Sequence, residues 1–442
     1  MKLSHLQQII KYLQRFSKIS AIYRVSDTIV KVVFDKSDAL YFNMQRSNSS
    51  MFKCETYPRS KVYNAPFDVI LAKRFNRSNI LDIELLNNDK IIRIKTSLAS
   101  AYKEEITYLQ IEFTGKYTNV IILDAENVVL EALRHVDLFS SFREVRVGQK
   151  LLDVPPAPFV AKEYPLEDVE SFLYEVYAKE QNAKLDNLKK QKVALLGKKL
   201  KKLKKLYDKL DSQESLEKEA QKYEHYGNLV LSNVATIEPY CTKLSLNDYD
   251  GSVVEVVLSK GYPTPFSISE MFFSKSKKAK QRAKHLHIEE ESLRSKIEHM
   301  KLFIHTVQEA KDIAKIALLF PKRVQNKKIK HNDSIEVFWI EGYKVQLGKN
   351  EKGNVELLKN ARAKDIWIHM KERPSAHVII TTDKQNLPQN IIMAAARLCV
   401  DFTTTVKDRY LVDYTPRREV SIQNGANVLY NKYKTIEVDT RE

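Results

Sequence analysis

Glycine and cysteine are both scarce in this chain of 442 residues, which holds 10 of the first and 3 of the second. No two glycines stand close enough for a Gly-x-Gly motif, so the phosphate-cradling loops of P-loop and dinucleotide-binding proteins are absent. An NTPase or a dinucleotide enzyme is thereby set aside. Cys54, Cys241 and Cys399 are odd in number and far apart. That spacing opposes a disulfide framework or a Cys-based zinc site and points to a reducing cytosol. Met1 to Leu13 has no apolar stretch of the signal-peptide kind, and no run approaches membrane-spanning length. The expectation is a cytoplasmic protein without membrane contact.

What the chain has in excess is positive charge, a net +17. The excess is clustered. Lys198, Lys199, Lys201, Lys202, Lys204 and Lys205 are nearly consecutive, and Lys275, Lys277, Lys278, Lys280, Arg282 and Lys284 form a second group. Glu does not balance Lys as it does on ordinary coiled-coil exteriors, so a polyphosphate partner is favoured over a merely solvated helix face.

Both clusters sit in helical patterns. Ala279, Ala283, Leu286, Leu293, Ile297, Met300, Ile304 and Val307 recur in steps of four, three and seven, the seam of a coiled coil. Val193, Leu196, Leu200, Leu203, Tyr207 and Leu210 repeat that seam; Leu185 and Leu188 are off register, which implies a stutter near Lys192. The simplest topology is an antiparallel pair that runs out along one arm, builds a small tip domain and returns. The predicted domains are an α+β N-terminal domain over 1–165, a first arm over 166–226, a tip over 227–274, a second arm over 275–320 and an α+β C-terminal domain over 321–442.

Residues 5–18 read as an amphipathic helix. Ala21 to Val25, Thr28 to Phe34 and Ala39 to Met44 alternate as strands, and Phe67 to Phe75 reads as a helix. Ile80 to Leu86 and Ile91 to Thr96 flank the turn Asn87-Asn88-Asp89-Lys90. Leu109 to Thr114, Val120 to Asp124 and Val128 to Arg134 continue the sheet, and Pro155-Pro156 closes the domain.

The order of several motifs resembles the NFACT family. The N-terminal part carries Phe67-x3-Leu71-Ala72-Lys73-Arg74, Asn88-Asp89-Lys90-Ile91-Ile92 and Glu112-x2-Gly115-Lys116-x2-Asn119-Val120-Ile121, then Gly148-x6-Pro155-Pro156. Further along stand Tyr223-x3-Gly227-Asn228-Leu229-Val230, Phe272-Phe273-Ser274-Lys275, Gly348-Lys349-Asn350, Asp365-Ile366-Trp367-Ile368-His369, Pro374-x2-His377 and Val412-Asp413-Tyr414-Thr415. The resemblance implies a ribosome quality-control factor that binds the large (50S) subunit carrying peptidyl-tRNA, at 23S rRNA and the stalk base. It also implies recruitment of tRNA, tRNA(Ala) in particular, for mRNA-independent alanine tailing of stalled chains. Such a factor acts as a monomer on the ribosome, needs no cofactor or metal and has no chemical active site of its own.

The resemblance has departures. The family's Asp-Arg pair is here Asp89-Lys90, which keeps the charge but loses the guanidinium fork. No acidic residue precedes Asp27, and the interval after Pro156 is too short for the family's helix-hairpin-helix domain, so this is a short form. Pro-Gly-Ser-His is replaced by Pro374-Ser375-Ala376-His377. The family's N-terminal domain also resembles formamidopyrimidine-type DNA glycosylases, but their catalysis needs an N-terminal proline. This chain starts Met1-Lys2, so a base-excision reading fails.

Asp89, Lys90, Lys73, Arg74, Arg77, Lys116 and Asn119 are the candidate tRNA contacts. Turn chemistry alone would also choose Asp89 and Lys90, and the polar face of a helix would also carry the three cations. Lys198, Lys199, Lys201, Lys202, Lys277, Lys278, Lys280 and Arg282 are the candidate ribosome contacts. Asp365, Trp367 and His369 alternate on one strand face and join His377 as an RNA-binding group or a domain core, with Asp365 orienting a histidine. Tyr414 and Tyr430 carry the same ambiguity. The rival classes are a fibronectin-binding adhesin, an older label in the family, and a coiled-coil scaffold.

Overall fold

The computed structural model describes residues 1–99, 104–139, 141, 143–155, 162–321, 334–384 and 386–441. Pro156, half of the predicted domain-closing pair, lies outside them. The chain divides into two compact units, Met1–Lys184 and Leu185–Glu442.

The first unit is built on α1 (Leu3–Leu13) and nine antiparallel strands. They are β1 (Lys18–Ser26), β2 (Ile29–Phe34), β3 (Asp38–Asn43), β4 (Ser50–Phe52), β5 (Ser78–Leu85), β6 (Ile91–Ala99), β7 (Glu104–Glu112), β8 (Asn119–Asp124) and β9 (Val129–Ala132). Helix α2 (Pro66–Phe75) enters between β4 and β5, with Pro66 in its first turn, where the missing N–H costs nothing. The spatial order is β4-β3-β2-β1-β5-β6-β7-β8-β9. Alternation along each strand sends Ile22, Val32, Phe42, Ile92, Ile94 and Leu109 inward against α1, α2 and Leu173. Helix α1 stops five residues short of the expected end at 18, because β1 claims the chain from Lys18.

The long helices differ from the expected arms at two breaks and one earlier start. Helix α3 (Val169–Tyr207) is continuous past Gly197 and Lys192, but it ends before Leu210. The chain restarts as α4 (Gln213–Ser232), where the Ser212 hydroxyl accepts from the Ser215 N–H at 3.1 Å and fixes a new N-terminus. Helix α5 spans Pro265–Gln308, so it begins ahead of residue 275, with Thr264 and Ser267 as a capping box. It stops before α6 (Ile313–Leu319), which Asp312 caps. What remains of the tip is the hairpin β10 (Lys243–Asn247) and β11 (Val253–Val257), packed on Ile268 and Phe272 of α5.

Contacts of Tyr207 with Glu290, Asp211 with Arg282 and Glu224 with Lys280 have falling partner numbers, so the helices run antiparallel. Leu185 and Leu188, off register in the sequence, join the same C-terminal core as the seam residues Val193 and Leu196, with Phe303 and Val307.

That core lies under a six-stranded antiparallel sheet in the order β12-β13-β15-β14-β16-β19. Its elements are β12 (Ile335–Ile340), β13 (Tyr343–Gly348), α7 (Glu351–Asn360), β14 (Ile366–Met370), β15 (Val378–Thr381), α8 (Gln389–Asp401) and β16 (Arg409–Pro416). The small hairpin β17 (Val420–Ile422) and β18 (Val428–Tyr430) precedes β19 (Lys434–Asp439). Helices α6 and α8 cover one face through Phe338, Ile368 and Ile380. Helix α7 and β17–β18 cover part of the other through Trp367, Leu357 and Val420. Among the described residues, no helix is long and apolar enough to cross a membrane, and no group of three or more metal-ligating side chains occurs.

Candidate nucleic-acid interface

The turn between β5 and β6 is shaped by two asparagines in the left-handed region, Asn87 at φ 52° and Asn88 at φ 51°. Asparagine tolerates that conformation better than most side chains. The turn is braced on both sides. Asn87 Nδ2 donates to the Val154 carbonyl at 2.6 Å, and Gln7 Nε2 of α1 donates to Asn88 Oδ1 at 3.3 Å. Asp89 and Lys90 follow, both half-buried. Asp89 Oδ1 accepts the Lys90 N–H at 2.7 Å. The Met1 amino group is held below its usual range by burial and then by the charge of Lys90, with Glu180 opposing.

Strand pairing decides which candidates share this end of the sheet. Ile91 pairs with Glu112 and Glu112 with Asn119, so the turn at Gly115–Tyr117 lies beside Asp89 and Lys90. Lys116 is exposed there. Asn119 is buried and acts as a clamp. Its Nδ2 donates to the Arg134 carbonyl at 2.7 Å, while its Oδ1 accepts from the Arg134 and Val120 amides. Buried and holding the Arg134 backbone from both amide atoms, it is not presented to RNA.

Lys73, Arg74 and Arg77 are elsewhere. They precede β5, whose eight residues at about 3.3 Å each put them about 26 Å from the hairpin tip. Arg74 is bound to Glu105, whereas Lys73 and Arg77 are exposed. The seven expected contacts therefore split into two groups, at opposite ends of β5.

Beneath the tip runs a buried polar network that sequence reasoning missed. Arg93 Nε and Nη2 donate to Gln110 Oε1 at 3.0 and 2.6 Å, and Gln110 Nε2 donates to Glu112 Oε1 at 2.6 Å. Glu112 is paired with Arg143, whose Nη1 donates to the Leu152 carbonyl. Two signals lay in the sequence: Glu112 opens one of the quoted motifs, and Gln110 shares its strand face at a spacing of two.

In the C-terminal sheet the motif residues turn inward. Asp365 precedes β14 and, among the described residues, orients no histidine. It accepts from the Arg362 and Thr382 amides at 2.8 and 3.1 Å, because the chain needs a cap at that corner. Trp367 has no exposed surface. Its Nε1 donates to His377 Nδ1 at 3.3 Å, and its ring stacks on His369 at 5.4 Å. An accepting Nδ1 requires a neutral ring, and burial followed by the neighbouring His369 lowers His377 to about 3. Burial lowers His369 as well, with Asp413 opposing. Ser375 closes the β14–β15 turn, accepting from the Met370 amide at 3.0 Å. Tyr430 donates to the buried Asp413 at 2.8 Å, and Tyr414 is half-buried against the core. The aromatic group is thus mostly core; what it offers to a partner is the exposed Tyr433, 5.2 Å from Tyr430, with Lys371 6.0 Å over its ring.

On the helices, Lys198, Lys199, Lys201, Lys202, Lys277 and Lys278 are exposed. Lys280 is paired with Glu224 at 2.6 Å and Arg282 with Asp211 at 3.0 Å, so both are partly neutralised.

Residues 5–174 match the family model described as NFACT N-terminal and middle domains. A protein of Bacillus subtilis named Rqc2 homolog RqcH is 27% identical over 49% of this chain, and the chain spans 41% of its length. A Streptococcus suis protein of the same name is 22% identical over 87% of each chain. Among solved structures, the N-terminal part of a fibronectin/fibrinogen-binding protein from Streptococcus suis is similar at 21% identity and a TM-score of 0.32. That similarity covers 36% of this chain and 62% of that one.

Proposed function

We propose that this chain, which carries an NFACT N-terminal domain over residues 5–174, is a ribosome quality-control factor. It binds the large (50S) ribosomal subunit carrying peptidyl-tRNA and recruits tRNA(Ala) for mRNA-independent alanine tailing of stalled chains, in the cytoplasm and as a monomer. The observation that carries this reading is the similarity to proteins named RqcH, which in one case runs over 87% of the chain. Peptide-bond chemistry stays with the ribosome, and the chain itself is not an enzyme.

In this reading Asp89, Lys90 and the neighbouring Lys116 meet tRNA. A carboxylate and two cations at one sheet end hold a nucleotide through both its donors and its phosphate. Lys73 and Arg77 make a separate phosphate contact. The exposed lysines of α3 and α5 lie against 23S rRNA, and the two helices form an antiparallel coiled coil.

The test is recovery of RNA on the tagged full chain, with tRNA and large-subunit rRNA counted separately. Asp89→Ala with Lys90→Ala is expected to lose tRNA and keep the subunit, and Lys90→Arg to keep both. Subunit binding is expected to fall about a thousandfold between 50 and 200 mM salt, as about six phosphate contacts require. Wild-type tRNA recovery by the double alanine variant would leave Asp89 and Lys90 as a mere turn. Wild-type protein that recovers neither RNA, and is found on the surface of intact cells, would replace this reading with the adhesin.

A further inference from the structure

One face of the N-terminal sheet carries a row of side chains that the hairpin tip and α2 do not use. Strand register pairs Tyr23 with Lys31, Lys31 with Tyr41 and Tyr41 with Phe52, so the four stand side by side across β1 to β4. The inner end is closed. Tyr41 and Phe52 are buried and stacked at 5.3 Å, with Tyr57 and Tyr177 packed on them.

The outer end is open. Tyr23 and Lys31 are half-buried, and the exposed Arg59 places its guanidinium 4.9 Å over the Tyr23 ring. Ser60 donates to the Val25 carbonyl from both its amide, at 2.9 Å, and its hydroxyl, at 3.1 Å. This anchor lays the exposed segment 59–62 along β1 and delivers Lys61 to within 4.9 Å of the Tyr63 ring. Tyr63 in turn donates to Asp27 at 2.9 Å and carries Arg24 at 4.4 Å, and Arg24 is itself bound by Asp68. Three cations, Lys31, Arg59 and Lys61, thus alternate with the rings of Tyr23 and Tyr63, and the exposed Asp27 pairs with Lys61 at 3.6 Å.

That alternation matches one kind of partner. Cations at intervals follow a phosphate backbone, and flat rings and guanidinium planes between them accept bases. A duplex keeps its base faces stacked inside and has no use for the rings. We propose that this face binds an unpaired RNA strand, with phosphates on Lys31, Arg59 and Lys61 and bases stacked on Tyr23, Arg59 and Tyr63. The proposal rests on the RNA-binding reading above and adds a contact independent of the hairpin tip.

The experiment is fluorescence anisotropy of a labelled 12-nucleotide oligouridine with the full chain. Arg59→Ala with Lys61→Ala changes only exposed residues, so the fold is retained. It is expected to weaken binding about tenfold and to reduce the slope of log K against log salt by about 1.4, two contacts at about 0.7 each for a single strand. Tyr23→Leu is expected to weaken binding about tenfold with the slope unchanged, and Tyr23→Phe, which keeps the ring, to bind as wild type. Asp89→Ala with Lys90→Ala is expected to leave oligouridine binding intact. Equal competition by a duplex of the same length or by polyglutamate, or wild-type affinity in the Arg59/Lys61 variant, overturns the proposal. A wild-type chain that holds tRNA and large subunits but no oligouridine overturns this inference alone; one that holds none of the three overturns the functional reading with it.

Discussion

Removing Glu112 is the sharpest test of the network beneath the hairpin tip. Its side chain is 2% exposed and that of its partner Arg143 is 7% exposed. Glu112→Ala leaves a buried guanidinium that keeps, among the described residues, the Leu152 carbonyl as acceptor, which costs about 3–5 kcal/mol. For a unit of this size 1 kcal/mol moves the melting temperature by about 2–4 °C, so the expected drop is roughly 10 °C. Glu112→Leu combined with Arg143→Met removes both charges. It should cost only about 1–2 kcal/mol, chiefly because Gln110 Nε2 loses its acceptor. The double variant is therefore milder than either single one. Calorimetry measures the loss, and the chain carries its own control. Both tryptophans, Trp339 and Trp367, lie in the C-terminal unit, so their fluorescence transition should stay in place. Single and double effects that simply add would refute the coupling, and an unshifted Glu112→Ala would refute the buried pair.

Acid should weaken the C-terminal unit. His377 titrates at about 3 when folded and near 6.5 when unfolded, so between those values the unfolded chain takes up a proton that the native one refuses. Stability is lost as pH falls, by about 2 kcal/mol between 6.5 and 5; the urea midpoint read from tryptophan fluorescence measures it, and His377→Asn should flatten the slope. Gly348→Ala should cost about 2 kcal/mol by the same assay, since its methyl group would meet Asn354 Oδ1 and, at 2.8 Å, the Asn354 backbone nitrogen. Leu200→Asp with Leu203→Asp charges two half-buried seam positions; circular dichroism should show lost helix and sedimentation should show lost subunit binding, whereas unchanged values for both would remove the coiled coil.

Strands and helices of the first unit were legible because a period of two or of 3.6 is a property of the chain itself. Ile80 to Thr96 reads as a hairpin from its alternation and its asparagine turn, and β5 and β6 form it. Period identifies a face but not its neighbour. Trp367 was known to share a face with His369, yet only the packing of α7 and β17–β18 decides that the face is closed. Asn119 offered an amide in a turn-like setting, and its use as a clamp on Arg134 depends on a residue fifteen positions away. The division of the seven candidates into two groups follows from the length of β5, a quantity that no motif encodes. The break after Tyr207 was concealed because Leu210 keeps the heptad spacing while Ser212 starts a new helix.

The order of the N-terminal sheet has a kinetic consequence. Every neighbouring pair of strands is consecutive in sequence except one, the junction of β1 with β5. That junction consists of two residue pairs, Lys18 with Asn79 and Ile19 with Ser78. Strands β1–β4 and β5–β9 are therefore two meanders that each close on local contacts, a topology in which loop-closure entropy is small and chain collapse is quick. The late event is the docking of one meander on the other. The seam is too short to drive it, and the work falls to contacts that cross it, Gln14 of α1 with the Ile83 carbonyl and Asn76 beyond α2 with the Ile22 amide. Substitutions there should slow refolding more than substitutions inside either meander do.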